Sequence, residues 1–171
     1  MTMGAGLSTL LERVPDSGRD VRLNVASLLE RSSLAPETAR TLALACALAL
    51  RHPALADALR ADANLPPERI AAAETAAGLM AMNNVYYRFR HLSAVPEYAA
   101  TPAGLRMSAL ARPGIPKPEF ELLCLAISAL NGCESCIRSH DKAVRDAGLT
   151  ATNVLDAVRI GSALAGLAVL A

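Results

Sequence analysis

Residues 121–130 read ELLCLAISAL and run directly into Asn131-Gly132-Cys133-Glu134-Ser135-Cys136-Ile137-Arg138-Ser139-His140. Apolar side chains fill nearly every position of the first stretch without a period of two, so it reads as a helix apolar on all sides and therefore buried. Asn131-Gly132 breaks that helix, and Cys133 falls at or near the start of the next one. Residues 41–50 (TLALACALAL) repeat the pattern of 121–130, and Pro67-Glu68-Arg69-Ile70-Ala71 matches Ala151-Thr152-Asn153-Val154-Leu155. Between those match points the second half is four residues longer, in the interval that carries Cys133–Cys136. At the corresponding place the first half has only Arg51-His52-Pro53-Ala54. The chain is expected to be all-α, built from a duplicated helical unit of which only the C-terminal copy carries the C-x-x-C pair.

Helical signals continue on both sides. Residues 27–33 lead toward Pro36-Glu37, where a proline in the first turn starts a helix through Leu50. His52-Pro53 breaks it, a second helix covers about 54–63, and Leu65-Pro66-Pro67-Glu68 opens a third that reaches about Arg90. Residues 93–118, with Pro96, Pro102, Pro113, Pro116 and Pro118, are expected to be poor in regular structure and to act as a rigid connector. Helices follow at about 119–130, 133–147 and 152–170, with Gly148 as a stop and Thr150 as a cap. This divides one domain, residues 1–171, into a degenerate half at about 36–92, the connector, and a redox-active half at about 119–171.

Of the 171 residues 53% are hydrophobic and only 3% aromatic, so the core must be assembled from alanine, leucine and other medium side chains. A net charge of +1 and the lack of a basic stripe with interleaved aromatics set nucleic-acid binding aside. The longest uncharged stretches are residues 41–50, 75–87, 122–133 and 160–171, each short of the roughly 20 residues of a spanning helix. Residues 1–14 contain Glu12 and Arg13 and lack the charged-then-apolar order of a leader peptide. The chain is expected to be cytoplasmic, with no membrane segment, and its surplus apolar surface is assigned to a subunit interface.

In that compartment four cysteines are not a disulfide framework. Cys46 and Cys124 lie inside apolar helical runs, where a cysteine behaves as a small hydrophobe. Cys133 and Cys136 are different. At i and i+3 their sulfurs lie one turn apart on one helix face, within reach of a disulfide, and His140 follows Cys136 at i+4. A free thiol of ordinary pKa is only about 3% thiolate at neutral pH. A helix N-terminus and a nearby imidazolium lower that pKa, and a drop of about two units raises the reactive fraction roughly thirtyfold. The segment therefore reads as a redox-active dithiol. A zinc site would need a fourth ligand, and His52 and His91 are isolated. Glu121, near the start of its helix, reads from the residues alone as a favourable first-turn charge.

Taken together, Met80-Ala81-Met82-Asn83-Asn84-Val85-Tyr86-Tyr87-Arg88, Gly104-Leu105-Arg106-Met107, Pro113-Gly114-Ile115-Pro116-Lys117, Phe120-Glu121-Leu122 and Ser128-Ala129-Leu130-Asn131-Gly132-Cys133 resemble the AhpD alkyl hydroperoxidase family, within the carboxymuconolactone-decarboxylase-like superfamily. The resemblance covers nearly the whole chain. It implies an all-helical duplicated fold that associates as a homotrimer. It also implies hydroperoxide reduction and regeneration of an AhpC-like peroxiredoxin, with no tightly bound cofactor. Electrons would come from dihydrolipoamide carried by lipoylated dihydrolipoamide acyltransferase. By the same resemblance Cys136 is the peroxidatic thiol that becomes a sulfenic acid, and Cys133 is the proton donor and resolving thiol. Glu121 and His140 become a proton relay, which reverses the reading of Glu121 from the residues. Relatives commonly carry His where this chain has Ser135, whose hydroxyl can relay a proton but does not titrate near neutrality. Helix position alone would instead make Cys133 the better thiolate.

Three other functions stay open at this level. One is a general protein-dithiol oxidoreductase without useful peroxidase activity. Another is a lyase like the decarboxylases of the superfamily, whose chemistry has no use for two cysteines. The third is a non-catalytic redox or metal-sensing protein.

Overall fold

Proline opens most of the helices. Pro36, Pro53, Pro67 and Pro96 occupy the first helical turn, where the missing N–H forfeits no intrahelical bond. The computed structural model describes residues 4–171; Met1, Thr2 and Met3, the start of the segment read for a leader, lie outside the described residues. In chain order the helices are α1 (Ala5–Glu12), α2 (Arg19–Arg31), α3 (Pro36–Ala49), α4 (Pro53–Ala63), α5 (Pro67–Ser93), α6 (Pro96–Ala100), α7 (Lys117–Leu130), α8 (Glu134–Asp146) and α9 (Ala151–Leu170). Among the described residues there is no strand, as an all-α reading requires.

Helices α3 and α7, the two apolar runs of the sequence, pack against each other at the centre. Both are sealed along most of their length, α3 from Thr38 to Ala47 with the exception of Arg40, and α7 at Phe120 and from Leu122 to Ser128. Helices α5 and α9 each pack on both, α4 covers α3 and in turn carries α1, and α2 lies along α9. Each buried Leu or Phe contributes about 1.5–3 kcal/mol, and Leu42, Leu44, Phe120, Leu122, Leu123 and Leu125 make the α3–α7 pair a large part of the core. Small residues set the spacing: Ala72, Ala73, Ala76 and Ala77 form the N-terminal part of the buried face of α5, and a Cβ on Gly161 of α9 would stand 3.4 Å from Cys46 Sγ. Arg69 of α5 ties the three layers together, bonding Glu37 of α3 at 2.9 Å and Glu119 of α7 at 2.7 Å.

Several boundaries differ from the sequence expectation. Helices α1 and α2 were not anticipated, and residues 27–31 belong to α2 rather than to an approach segment. The connector holds the short helix α6 and a 3-10 turn at Ser108–Ala111, and α7 begins at Lys117 inside it. Pro118 does not block this, because it sits in the first turn of α7. Thr150 caps α9 as expected: its hydroxyl accepts from Asn153 N at 3.2 Å, while Asn153 Oδ1 accepts from Thr150 N at 2.9 Å. Gly148, at φ 91°, follows the end of α8 in the left-handed region where a Cβ would be strained. Helix α9 is long and apolar enough, by length and composition, to cross a membrane. Here it packs on α2, α3 and α7, and its buried Asp156 accepts from Ser33 N at 2.7 Å and pairs with Arg159 at 2.8 Å.

Candidate active site

The site forms where α7 turns back into α8. Asn131 ends α7, and Gly132 takes φ 63°, a conformation strained for any residue with a Cβ. Cys133 then stands just outside α8 as its N-cap, with extended backbone. Its N–H donates to Ser128 O at 3.1 Å, and its carbonyl accepts from Ile137 N at 2.9 Å. Glu134 and Ser135 begin the helix, so Cys136 is the third residue of the first turn, among the backbone N–H groups that lack an intrahelical acceptor. Both sulfurs therefore lie at the positive end of α8.

Cys133 and Cys136 form a disulfide, with a Cα–Cα distance of 5.3 Å. They are unequally exposed. Cys133 is sealed at 0%, whereas Cys136, at 6%, lines a cavity of about 490 Å³. The other walls of that cavity are Asn83 and Tyr87 of α5, Met107 and Leu110 of the connector, and Ser135, Ser139 and His140 of α8. The Ser135 hydroxyl lies 3.6 Å from Cys133 Sγ.

His140 and Glu121 meet across the α7–α8 interface, Nδ1 to Oε2 at 2.6 Å, with both side chains largely buried. A carboxylate only accepts, so Nδ1 donates, and Nε2 takes no part in this bond. Lys117 bonds the other carboxylate oxygen at 2.7 Å. The His140 hydrogen bond, joined by Lys117 and opposed by burial, holds the Glu121 carboxyl at about 2 instead of its ordinary 4.5. Glu121 is therefore not a simple first-turn charge. That place in α7 belongs to Glu119, which is occupied with Arg69 and with Thr38 Oγ1 at 2.8 Å.

Polar side chains on α5 hold this corner together. Asn84 donates to Ser128 Oγ at 3.0 Å and accepts from Asn131 Nδ2 at 2.9 Å, and Arg88 donates to Asn131 O at 2.5 Å. His91 meets Glu134 at 3.1 Å on the exposed side. The connector is pinned beside the cavity by a bond from Lys117 Nζ to Leu110 O. Cys46 and Cys124 are buried in α3 and α7, and burial pushes the Cys46 thiol up to about 12 and the Cys124 thiol higher still. Both stay protonated, as small apolar residues. Among the described residues no group of three or more His, Cys, Asp or Glu side chains is arranged to hold a metal.

Asn83, Tyr87, Met107, Leu110 and Lys117 also belong to this corner, and nothing in their spacing along the chain marks them as parts of one site. Asn83, Tyr87, Met107 and Lys117 lie within the segments that carry the family resemblance, which located them in the sequence without saying what they surround.

The profile of the carboxymuconolactone decarboxylase family matches residues 96–171, which hold α6 to α9 and the disulfide. The alkyl hydroperoxide reductase AhpD of Bradyrhizobium sp. (strain BTAi1 / ATCC BAA-1182) is 47% identical over 165 residues, covering 95% of this chain and 91% of the relative. The chain belongs to the AhpD family. Proteins of the same name from Methylobacterium sp. (strain 4-46), at 47% over 165 residues, and Streptomyces avermitilis, at 44% over 160, cover 95% and 92% of the chain and 94% and 90% of their own lengths. The AhpD likeness thus takes in the helices of the first half as well as the dithiol half.

Proposed function

We propose that the protein is an antioxidant alkyl hydroperoxide reductase that works through the Cys133/Cys136 dithiol, with Cys136 attacking the peroxide. One observation carries this reading. Cys136 opens onto the cavity that His140 also lines, while Cys133 is sealed behind it. In the reduced protein, Nε2 of His140 takes the Cys136 proton, and the Glu121 carboxylate steadies the resulting imidazolium. The Cys136 thiolate attacks the terminal oxygen of ROOH, the O–O bond breaks, and the departing alkoxide takes the Cys133 proton to leave as ROH. Cys136 is now a sulfenic acid. The Cys133 thiolate displaces hydroxide from it, which leaves as water with the imidazolium proton, and the disulfide closes. Ser135 Oγ, near Cys133 Sγ, is placed to steady the Cys133 thiolate by a hydrogen bond.

A dithiol then returns the two electrons. We assign this role to dihydrolipoamide, carried by lipoylated dihydrolipoamide acyltransferase, with an AhpC-like peroxiredoxin as a further acceptor. Attack falls on Cys136, the sulfur that the cavity exposes. The same reading makes residues 1–171 one cytoplasmic domain whose first half serves as frame. It also makes the protein a homotrimer, which gives a use to the exposed Val85, Phe89 and Leu92 on α5 or Leu155 and Val169 on α9.

The test is peroxide consumption by the pure reduced protein with dihydrolipoamide, counting thiols before and after. Catalytic turnover with reversible loss of two thiols is expected. A disulfide that forms without turnover would replace this reading with that of a protein-dithiol oxidoreductase.

Glu121→Gln is expected to slow turnover by at least about tenfold while excess peroxide still closes the disulfide. An unchanged rate would return Glu121 to a purely structural role. The variant also has a pH signature. Because folding lowers the Glu121 pKa, the carboxylate stabilises the fold above pH 4.5, and this is lost as pH falls toward about 2. The Tm difference between wild type and Glu121→Gln should therefore shrink over that acid range.

A further inference from the structure

Asn83 and Asn84 are neighbours on α5, both buried, yet they are satisfied unequally. Asn84 donates to Ser128 and accepts from Asn131. Asn83 is 4% exposed, and its Oδ1 is closed off from solvent with no hydrogen-bond partner among the described residues. An unpaired buried amide oxygen destabilises the fold, and a bound water, ion or ligand is the usual partner of such a group. Asn83 lines the cavity that holds Cys136 and His140.

The other polar groups of that cavity are differently placed. Ser139 is exposed on the surface of α8, and Nδ1 of His140 is committed to Glu121. Ser135 lies beside Cys133. Tyr87, Met107 and Leu110 add mostly apolar wall. Asn83 is thus a buried amide, with an acceptor that no described residue uses, set among mostly apolar side chains near the reactive sulfur.

We propose that Asn83 is the peroxide-binding residue of this site, its amide holding the –OOH group of an organic hydroperoxide against Cys136 while the alkyl chain lies along Met107 and Leu110. The inference rests on the peroxidase reading above. A turn about χ2, which is broad in Asn, presents the amide to a ligand in the cavity. Oδ1 accepts from the terminal O–H, which orients the O–O bond, and Nδ2 donates to the inner oxygen. In the step ROOH + Cys136–S⁻ + H⁺ → Cys136–SOH + ROH, that inner oxygen takes the electron pair of the breaking bond. The proton comes from Cys133, and Asn83 stabilises the alkoxide until it arrives.

The experiment is single-turnover oxidation of the reduced Asn83→Leu protein by cumene hydroperoxide, run beside its alkylation by iodoacetamide and a thermal melt. Alkylation reports the Cys136 thiolate without needing a peroxide site. The rate constant with hydroperoxide is expected to fall about tenfold or more, with alkylation within about twofold of wild type. Tm should hold or rise, because the orphaned oxygen is gone. Asn83→Ala provides the same comparison if the leucine does not fit. A wild-type rate with hydroperoxide would overturn the proposal. So would parallel falls in both reactions, which would make Asn83 a residue that positions the sulfur, or a lowered Tm with both rates reduced. Failure of the wild-type protein itself to react with hydroperoxide would overturn the peroxidase reading, and this inference with it.

Discussion

Cys136→Ser is expected to bring dihydrolipoamide-driven peroxide consumption down to the rate of buffer alone. The hydroxyl that replaces the thiol stays protonated at neutral pH, reacts poorly with peroxide oxygen and cannot enter a disulfide. The remaining sulfur cannot take over, because Cys133 is fully buried at the N-cap of α8 and only Cys136 faces the cavity. Serine is close to cysteine in volume, so the fold should survive, which circular dichroism checks. Turnover near the wild-type rate would remove Cys136 from the chemistry and the proposed function with it.

Cys133→Ser should also abolish turnover, but it should leave a different species. Cys136 retains its place in the first turn of α8 and its cavity with His140, so it is still oxidised once. Without Cys133 to displace the hydroxide, the sulfenic acid accumulates and then moves slowly up the oxidation ladder. Trapping with dimedone and intact-mass analysis should find about one adduct per chain in Cys133→Ser and none in Cys136→Ser. The reverse pattern would exchange the two roles and show that burial in the oxidised protein does not predict which sulfur attacks. This pair of variants bears on a real conflict, since helix position read from sequence favoured Cys133. The structure weakens that argument: Cys133 is the cap, and Cys136 shares the same first turn.

The helices legible in the sequence were those with a local signal of their own. α3 and α7 show unbroken apolar runs, α3, α4 and α5 have Pro at their starts, and α9 has its Thr150–Asn153 cap. Helix α2 carries none of these. Its buried side chains are Val25 and Leu29, and it lies along α9, a contact between residues more than a hundred positions apart. Helix α1 likewise depends on a distant partner: Asp62 of α4 accepts from Gly6 N and Leu7 N at its N-terminus. In the connector, proline density was read as an absence of regular structure, although Pro96 and Pro118 sit where prolines start helices.

By itself the sequence determined what depends on spacing within one turn of helix. It placed two thiols at i and i+3, put a histidine four residues on, made two central helices apolar on every side, and set a helix break at Asn131-Gly132. Only the tertiary structure decided what depends on which helix faces which. It brought Glu121 onto Nδ1 of His140, gave one sulfur the cavity and buried the other, and set Asn83 from α5 and Leu110 from the connector beside them. The physical reason is range. Helix periodicity and capping act over three or four residues and are written in the local pattern. Contacts between helices join residues tens of positions apart and follow from how whole apolar faces pack, which no short stretch of sequence encodes.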